Sequence, residues 1–448
     1  MGIYVNRTLD LKKIKAIGFD MDCTLVRYHT EAFERQTFEM ARERLVTLKG
    51  YPKEIFRIDF DFQRVIRGLV IDEKRGNLIK GSLYGRIKKA SHGLRSMDFK
   101  TQRDVYDGQI IDPSENLFTP IDTSFSISHG VLFSYLVDLR DQNPKAYPPY
   151  EEIARDVVEM IDLIHRDQSL KDHVAERMHQ FFIQDKKIPL LLERLKHSGK
   201  TLFIVTDSDH IYAQKLLDFT MTPFLRDHSH WMDLFDIVVT LAGKPQFFTA
   251  GKRFLKVDME SDQLVNIEGK LAPGIFRGGN SKDLQDYLNL SSDEILYIGD
   301  HIYGDVVALK KVCGWRTALI VEEIDGEIEN LKKGKGTLSK LNKLMAEKEK
   351  CEDEIDKMID SDAEKKKTES LFGELKKIDQ KLKKIMDEYH APFNPYWGEL
   401  MRSDAEESLF AGQVAKYACI YMAKVSDLAD VSSRKCFRPR RRPLPHDD

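Results

Sequence analysis

Two aspartates separated by one residue, Asp20 and Asp22 in the run Asp20-Met21-Asp22-Cys23-Thr24, follow directly on an apolar segment, Ile14 to Phe19. A phosphate monoester is unreactive. Cleaving it takes a nucleophile, a proton donor for the leaving oxygen, and positive charge to hold the phosphate. The pair can divide the first two tasks: Asp20 attacks phosphorus, while Asp22 protonates the departing alkoxide and later activates water. The same residues in a turn with capping carboxylates would carry no chemistry, so the pair alone does not decide the matter.

Three more apolar segments end in polar groups of the required kinds. Leu202 to Val205 leads into Thr206, Asp207 and Ser208. The Thr206 hydroxyl can donate to a phosphate oxygen, with help from Ser208. Asp236 to Leu241 shortly precedes Lys244, which supplies a point charge for pentavalent phosphorus and for the nucleophile's carboxylate. Ile295 to Ile298 leads into Gly299-Asp300-His301-Ile302-Tyr303-Gly304-Asp305. The carboxylates of Asp300 and Asp305, with Asp20 and Asp22, make a hard-oxygen ligand set that suits Mg²⁺. Cys23 lacks the arginine of a thiol phosphatase, since His29 stands at that spacing, and it reads as a small core residue. Arg277-Gly278-Gly279-Asn280-Ser281 does not fit a P-loop and reads as a turn before a helix near Lys282.

Groups at the ends of apolar runs need a frame that brings those ends together. Strand-like runs, with Thr317 to Val321 as a further one, alternate with helix-like stretches such as Ile188 to Lys196. That alternation predicts an α/β fold with a Rossmann-like core, whose parallel sheet is covered on both faces and binds ligands beyond the strands' carboxyl ends. Between the first strand and the second lies a large insertion. It holds an expected hairpin, Val65 to Ile71 with Leu78 to Lys80, and amphipathic stretches at Val131 to Leu139 and Ile153 to Ile164. Its position after the first catalytic strand predicts a cap over the site. The expected divisions are core at 1–40 and 186–330, cap at 41–185, and a lysine- and glutamate-rich helical hairpin at 331–390. A helical region at 391–433 and a basic, disordered tail at 434–448 follow. In the hairpin Leu371, Leu375, Ile378, Leu382 and Ile385 form a helical seam, with a break expected at Ser361-Asp362.

Composition narrows the function classes. The chain has 448 residues, 42% apolar and 32% charged, which suits an ordinary soluble protein of two or three domains. A net charge of −3 gives no global reason to expect nucleic acid or an anionic membrane as partner. The N-terminus lacks a signal peptide's apolar region, and no apolar run reaches the roughly eighteen residues of a membrane span. Five scattered cysteines without a CxxC spacing suggest a reducing compartment, and a cytoplasmic location is expected.

Four motifs in this order resemble the signature of the haloacid dehalogenase superfamily. The stretches FDMDCTLVRY, SLKDHVAERMHQFFIQDKKIPLLLERLKHSGKT, TDSD, GKPQFF, YIGDHIYGDV and LFAGQVAKYA are similar to the cytosolic purine 5′-nucleotidase family, of the IMP/GMP-selective type. The similarity runs from about Ile14 to Val321 and returns around Asn394 to Ala423. It implies an aspartyl-phosphate on Asp20, Mg²⁺ as cofactor, and a nucleoside monophosphate as substrate. It also implies phosphotransfer to a nucleoside acceptor as an added activity, and a dimer or tetramer. It assigns Phe125 and His165 to the faces of the purine ring, Asp162 to base recognition, and Lys171 to the substrate, with Ser126, Asp207 and Ser208 nearby. Three positions depart from the family pattern. Val158 replaces a base-contacting arginine, Ser126 an asparagine, and Asp207 the asparagine of a Thr-Asn-Ser triplet. A lost hydrogen bond to a charged group, about 1.5–3 kcal/mol, is enough to change base preference. Two other readings stay open: the same chemistry on another small phosphate, and a silent scaffold that presents its C-terminal helices to a partner.

Overall fold

The computed structural model describes residues 2–111, 118–267, 270–359 and 365–441. A ten-stranded sheet organises the first of two compact units, residues 1–322 and 401–448. Its centre is parallel, in the order Ile420–Met422, Arg316–Ile320, Ile295–Gly299, Ala16–Phe19, Thr201–Val205, Ile237–Thr240 and Gly274–Gly278. Antiparallel strands close both edges, Ile3–Val5 on one side and Phe254–Val257 with Leu264–Asn266 on the other. Ala16–Phe19, buried at every position, lies between Ile295–Gly299 and Thr201–Val205. Gly18 is directly opposite Phe203 on one neighbour and Tyr297 on the other. A Cβ there would fall 2.2 Å from the Phe203 ring and 2.8 Å from that of Tyr297, so no larger residue lets these rings fill the core.

The expected strands of the main sheet appear within a residue or two of their predicted ends, whereas the first strand of the expected hairpin begins at Leu69, four residues after Val65. Gly274–Gly278 was not expected as a strand, because its glycines and Arg277 read as turn signals; it pairs with Ile237–Thr240 near the sheet edge. The region 391–433 was expected to be helical. It contains the helix Leu409–Tyr417, but Ile420–Met422 then enters the main sheet beside Arg316–Ile320. A run of only three residues carries too little period to be told from a helix end. The tail was expected to be disordered from Arg434, but Cys436–Phe437 pairs with Leu9–Asp10; residues 442–448 lie outside the described residues.

The insertion carries a five-stranded antiparallel sheet, which includes the expected hairpin as Leu69–Asp72 and Asn77–Gly81. Three helices, Thr30–Lys49, Ile127–Gln142 and Tyr150–Arg166, pack on one another beside it. The first runs unbroken through position 40, the boundary expected between core and cap, until Gly50 closes it at φ 73°. Glu34 lies fully buried on this helix, and its Oε2 accepts from the backbone N–H of Ser128 at 2.6 Å. Burial pushes its carboxyl up from 4.5 to about 7. The folded state therefore holds a proton that the unfolded state has lost, and stability falls as pH rises from about 4.5 through 7. Glu34→Gln should accordingly stabilise the protein by about 1–3 kcal/mol at pH 8 and by little at pH 5. Denaturant midpoints at the two pH values check this, and a difference independent of pH would refute it.

The second compact unit, residues 323–400, is built on the helices Ile324–Ile359 and Lys365–His390. Cys351, Ile355, Ile378 and Leu382 are buried between them, flanked by Leu341, Leu344, Leu371 and Leu375. The expected seam residues Leu371, Leu375, Ile378 and Leu382 therefore do face a partner helix. The expected break at Ser361-Asp362 lies outside the described residues. No helix among the described residues is long and apolar enough to cross a membrane.

Candidate active site

The parallel strands end together, and the residues that follow them meet. Asp20, one residue past Ala16–Phe19, donates its backbone N–H to the Ile298 carbonyl at 2.8 Å, which ties the two strand ends. Its Oδ1 accepts from the Met21 N–H at 2.7 Å and lies 2.8 Å from Lys244 Nζ. The same ammonium is 2.8 Å from Asp305 Oδ1. Asp305 in turn accepts from the His301 N–H at 3.1 Å through Oδ2. A Cβ at position 299 would stand 2.3 Å from that oxygen, so Gly299 is what lets Asp305 approach the strand end. Asp300 completes the group: one oxygen from each of Asp20, Asp300 and Asp305 lies within 4.8 Å of the others.

All of these groups are buried, and burial dominates their electrostatics. It pushes the Asp20 carboxyl well above the usual carboxylate range, with Lys244 opposing. It raises Asp300 to about 6, helped by the neighbouring charge of Asp305. Three carboxylates against the one Lys244 ammonium leave two negative charges unbalanced within the cluster when all are ionised. Buried charge of that size calls for a counter-ion, and hard oxygens around a divalent deficit fit Mg²⁺.

Asp22 was expected among the metal ligands, but its carboxylate does not join that cluster. Oδ1 accepts from the Tyr28 hydroxyl at 2.7 Å, and Oδ2 from Ser208 Oγ at 2.8 Å and Thr206 Oγ1 at 3.4 Å. Thr206 is fixed by its N–H to the Val239 carbonyl, and its hydroxyl accepts from the Ser208 N–H at 3.1 Å. Asp207, expected near the substrate, instead accepts from the N–H groups of Gly243 and Lys244 at 2.8 and 2.9 Å. It thus braces the loop that carries Lys244. An asparagine oxygen could accept the same two bonds, so the departure at this position keeps the brace and adds a negative charge.

On the cap side, Phe125 meets the rings of Tyr28 and Phe33 edge-on, with centroids 5.1 and 5.3 Å apart. The His165 ring lies 6.3 Å from that of Phe33, so both expected clamp residues border one aromatic cluster. Burial, and secondarily Lys171, lowers His165 to about 4, so its imidazole is neutral at physiological pH. Lys171 is ion-paired with Asp209 and lies 5.2 Å above the Tyr212 ring. Val158 and Asp162 are exposed, at helical spacing from His165 on Tyr150–Arg166. Ser126 stands at the N-cap of Ile127–Gln142.

Sequence reasoning missed several residues at the site. Arg67, 1% exposed, donates to the carbonyls of Asp300 and Ile320 at 3.1 and 3.2 Å and to Ser124 Oγ at 2.9 Å. It ties the carboxyl edge of the sheet to the loop before Phe125. Thr123 in that loop donates to Asp300 Oδ2 at 3.1 Å. An arginine and a glycine inside an apolar run were the only sequence signal for Arg67, and Thr123 had none.

A model of the 5′ nucleotidase family matches residues 3–448. The chain belongs to that family. Its members are phosphoric monoester hydrolases, and the four motifs described above are the part of the chain that suits that chemistry. A 5′-nucleotidase domain-containing protein of Dictyostelium discoideum is 27% identical over 99% of this chain and 74% of its own length. 5′-nucleotidase domain-containing protein 2 of Rattus norvegicus is 28% identical over 99% of this chain and 80% of its own. Among solved structures, CbbY from Rhodobacter sphaeroides in complex with phosphate matches at 13% identity, covering 68% of this chain and 86% of its own, with a TM-score of 0.25. That last likeness is too slight to carry an argument.

Proposed function

We propose that this member of the 5′ nucleotidase family hydrolyses purine nucleoside 5′-monophosphates of the IMP or GMP type through an aspartyl-phosphate on Asp20. The observation that carries the reading is the contact of Lys244 Nζ with both Asp20 and Asp305, one residue away from an Asp22 held by separate donors. A scaffold has no use for such a costly cluster of buried charge.

In this reading an Asp20 carboxylate oxygen bonds to phosphorus as the bond to the nucleoside 5′-oxygen breaks. Asp22 gives its proton to that departing oxygen, so the nucleoside leaves neutral. Water then attacks the phosphorus of the aspartyl-phosphate and passes a proton to Asp22, releasing phosphate and restoring Asp20. Thr206 and Lys244 hold the equatorial oxygens, where charge is greatest in the transition state. Asp20, Asp300 and Asp305 would hold Mg²⁺, which supplies charge neutralisation when bound. Asp22 reaches that site through no side-chain oxygen. Phosphotransfer to a nucleoside follows the same path with an alcohol in place of water.

Purine selectivity is the finer part of the proposal. It rests on Phe125 and neutral His165 bordering one aromatic cluster, and on the suitability of such rings for stacking on a base. The alternative, another small phosphate, is favoured by exposed Val158, which puts an apolar side chain where the family pattern has a base-contacting arginine. Release of inorganic phosphate from IMP, GMP, AMP and sugar phosphates, in EDTA and in Mg²⁺, tests both. Full activity in EDTA would refute the metal, and a preferred sugar phosphate would refute the purine. In the same assay Phe125→Ala should reduce kcat/KM on IMP roughly five- to 150-fold, the worth of one stacked base. The loss on p-nitrophenyl phosphate, which has no purine, should be slight. Equal losses on both esters would leave the phosphatase standing and remove the clamp.

A further inference from the structure

Asp22 has one donor whose place in the molecule is unlike the others. Ser208 and Thr206 follow a core strand and reach Oδ2, whereas Oδ1 accepts from Tyr28, at 2.7 Å. Tyr28 ends the short strand Arg27–Tyr28, which pairs antiparallel with Phe182–Ile183 on the far side of the cap insertion. Its ring is 3% exposed and is met edge-on by Phe33 at 5.0 Å, Phe125 at 5.1 Å and Phe182 at 4.8 Å. The ring is thus set by the cap, and the hydroxyl is spent on the core. A carboxylate turns readily about its last torsion, which is broad and roughly two-fold. Donors on both oxygens remove that freedom and fix which lone pairs face the substrate.

We infer that Tyr28 is a positioning residue, which holds the Asp22 carboxyl in the orientation that protonates the leaving oxygen and links that acid to the base-binding face of the cap. The inference rests on the proposed role of Asp22 as the acid. It predicts a dependence on the leaving group. The 5′-oxygen of a nucleoside departs as an alkoxide unless it is protonated in the transition state, so a misaligned acid slows that step. A p-nitrophenolate leaves without a proton and is indifferent to the alignment.

Tyr28→Phe removes the hydroxyl and keeps the ring against Phe33, Phe125 and Phe182, so the fold is expected to hold. In the full-length protein with Mg²⁺, kcat/KM of Tyr28→Phe on IMP should fall roughly 10- to 100-fold, the scale of a misplaced catalytic group. On p-nitrophenyl phosphate the fall should stay within about threefold, because the proton is not needed. Binding of inosine, measured by calorimetry, should stay at the wild-type value. Equal losses on both esters, or weaker inosine binding with no dependence on the leaving group, would overturn the inference and leave Tyr28 a packing residue. Asp22→Asn serves as the reference. Where Asp22→Asn shows the leaving-group dependence and Tyr28→Phe does not, Tyr28 alone is at fault. Where Asp22→Asn lacks it, the acid role of Asp22 falls and takes the Tyr28 inference with it.

Discussion

Asp20→Asn should yield a folded protein whose turnover is lower by roughly 10⁴-fold or more, the scale on which loss of a covalent nucleophile is felt. The amide is nearly isosteric. It keeps an oxygen to accept from the Met21 N–H, and the backbone bond from Asp20 to the Ile298 carbonyl is untouched. The same side-chain oxygen faces Lys244, which loses the charge of one partner and retains the Asp305 carboxylate at 2.8 Å. Only the oxygen that bonds to phosphorus is lost, because an amide has no charge to bring to it. Burial opposes the ionised, attacking form of Asp20, and Lys244 offsets part of that push without cancelling it. Phosphate release from IMP, with the melting temperature as control, checks this. Activity within about tenfold of wild type would remove Asp20 from the nucleophile's role.

The sequence announced the core of this site because a parallel sheet makes its chemistry legible. Each apolar run must end where the sheet ends, and the next polar residue then sits at the carboxyl edge. Asp20, Thr206 and Asp300 were found by that rule alone, and Lys244 by its closeness to the Asp236 to Leu241 run. The rule places a residue and leaves its side-chain partners open. So Asp22 was grouped with the metal ligands, although its oxygens are taken by Tyr28, Ser208 and Thr206. Asp207 was likewise set against the substrate, although its carboxylate binds backbone N–H groups across the sheet edge.

Residues whose roles depend on contacts distant in sequence were silent. Arg67 gathers the carbonyls of Asp300 and Ile320, both more than 200 residues away along the chain, and nothing near position 67 hints at them. The strand Ile420–Met422 is equally hidden, because its short run becomes a strand only beside Arg316–Ile320. The cap presents a third case. Phe125 and His165 were found by resemblance, yet Phe33, which touches both rings, was not singled out. A buried aromatic on an amphipathic helix looks like ordinary core until its neighbours are known.

Lys244→Met should lose both activity and stability, and Mg²⁺ should return only the second. The Lys244 side chain is 6% exposed, with Nζ 2.8 Å from Asp20 and from Asp305. Removing one member of a buried ion pair costs about 3–5 kcal/mol, because the carboxylates left behind are neither hydrated nor balanced. Without metal, the variant can relieve that cost only by binding protons. Asp300 already stands at about 6, and loss of the ammonium moves it and Asp20 further upward. Acids whose folded pKa is raised contribute a stability that is lost as pH rises through that value. The deficit of Lys244→Met in EDTA should therefore be larger at pH 8 than at pH 5. A divalent cation held by Asp20, Asp300 and Asp305 balances the same carboxylates, so the melting temperature at pH 8 should recover in Mg²⁺. Turnover should remain roughly 10²–10³-fold down, because the cation does not replace the ammonium at the transition-state oxygens. A melting temperature equal to wild type in EDTA at both pH values would show that the carboxylates do not depend on Lys244. Activity restored by Mg²⁺ to within about tenfold would show that its charge serves the fold and not the phosphoryl transfer.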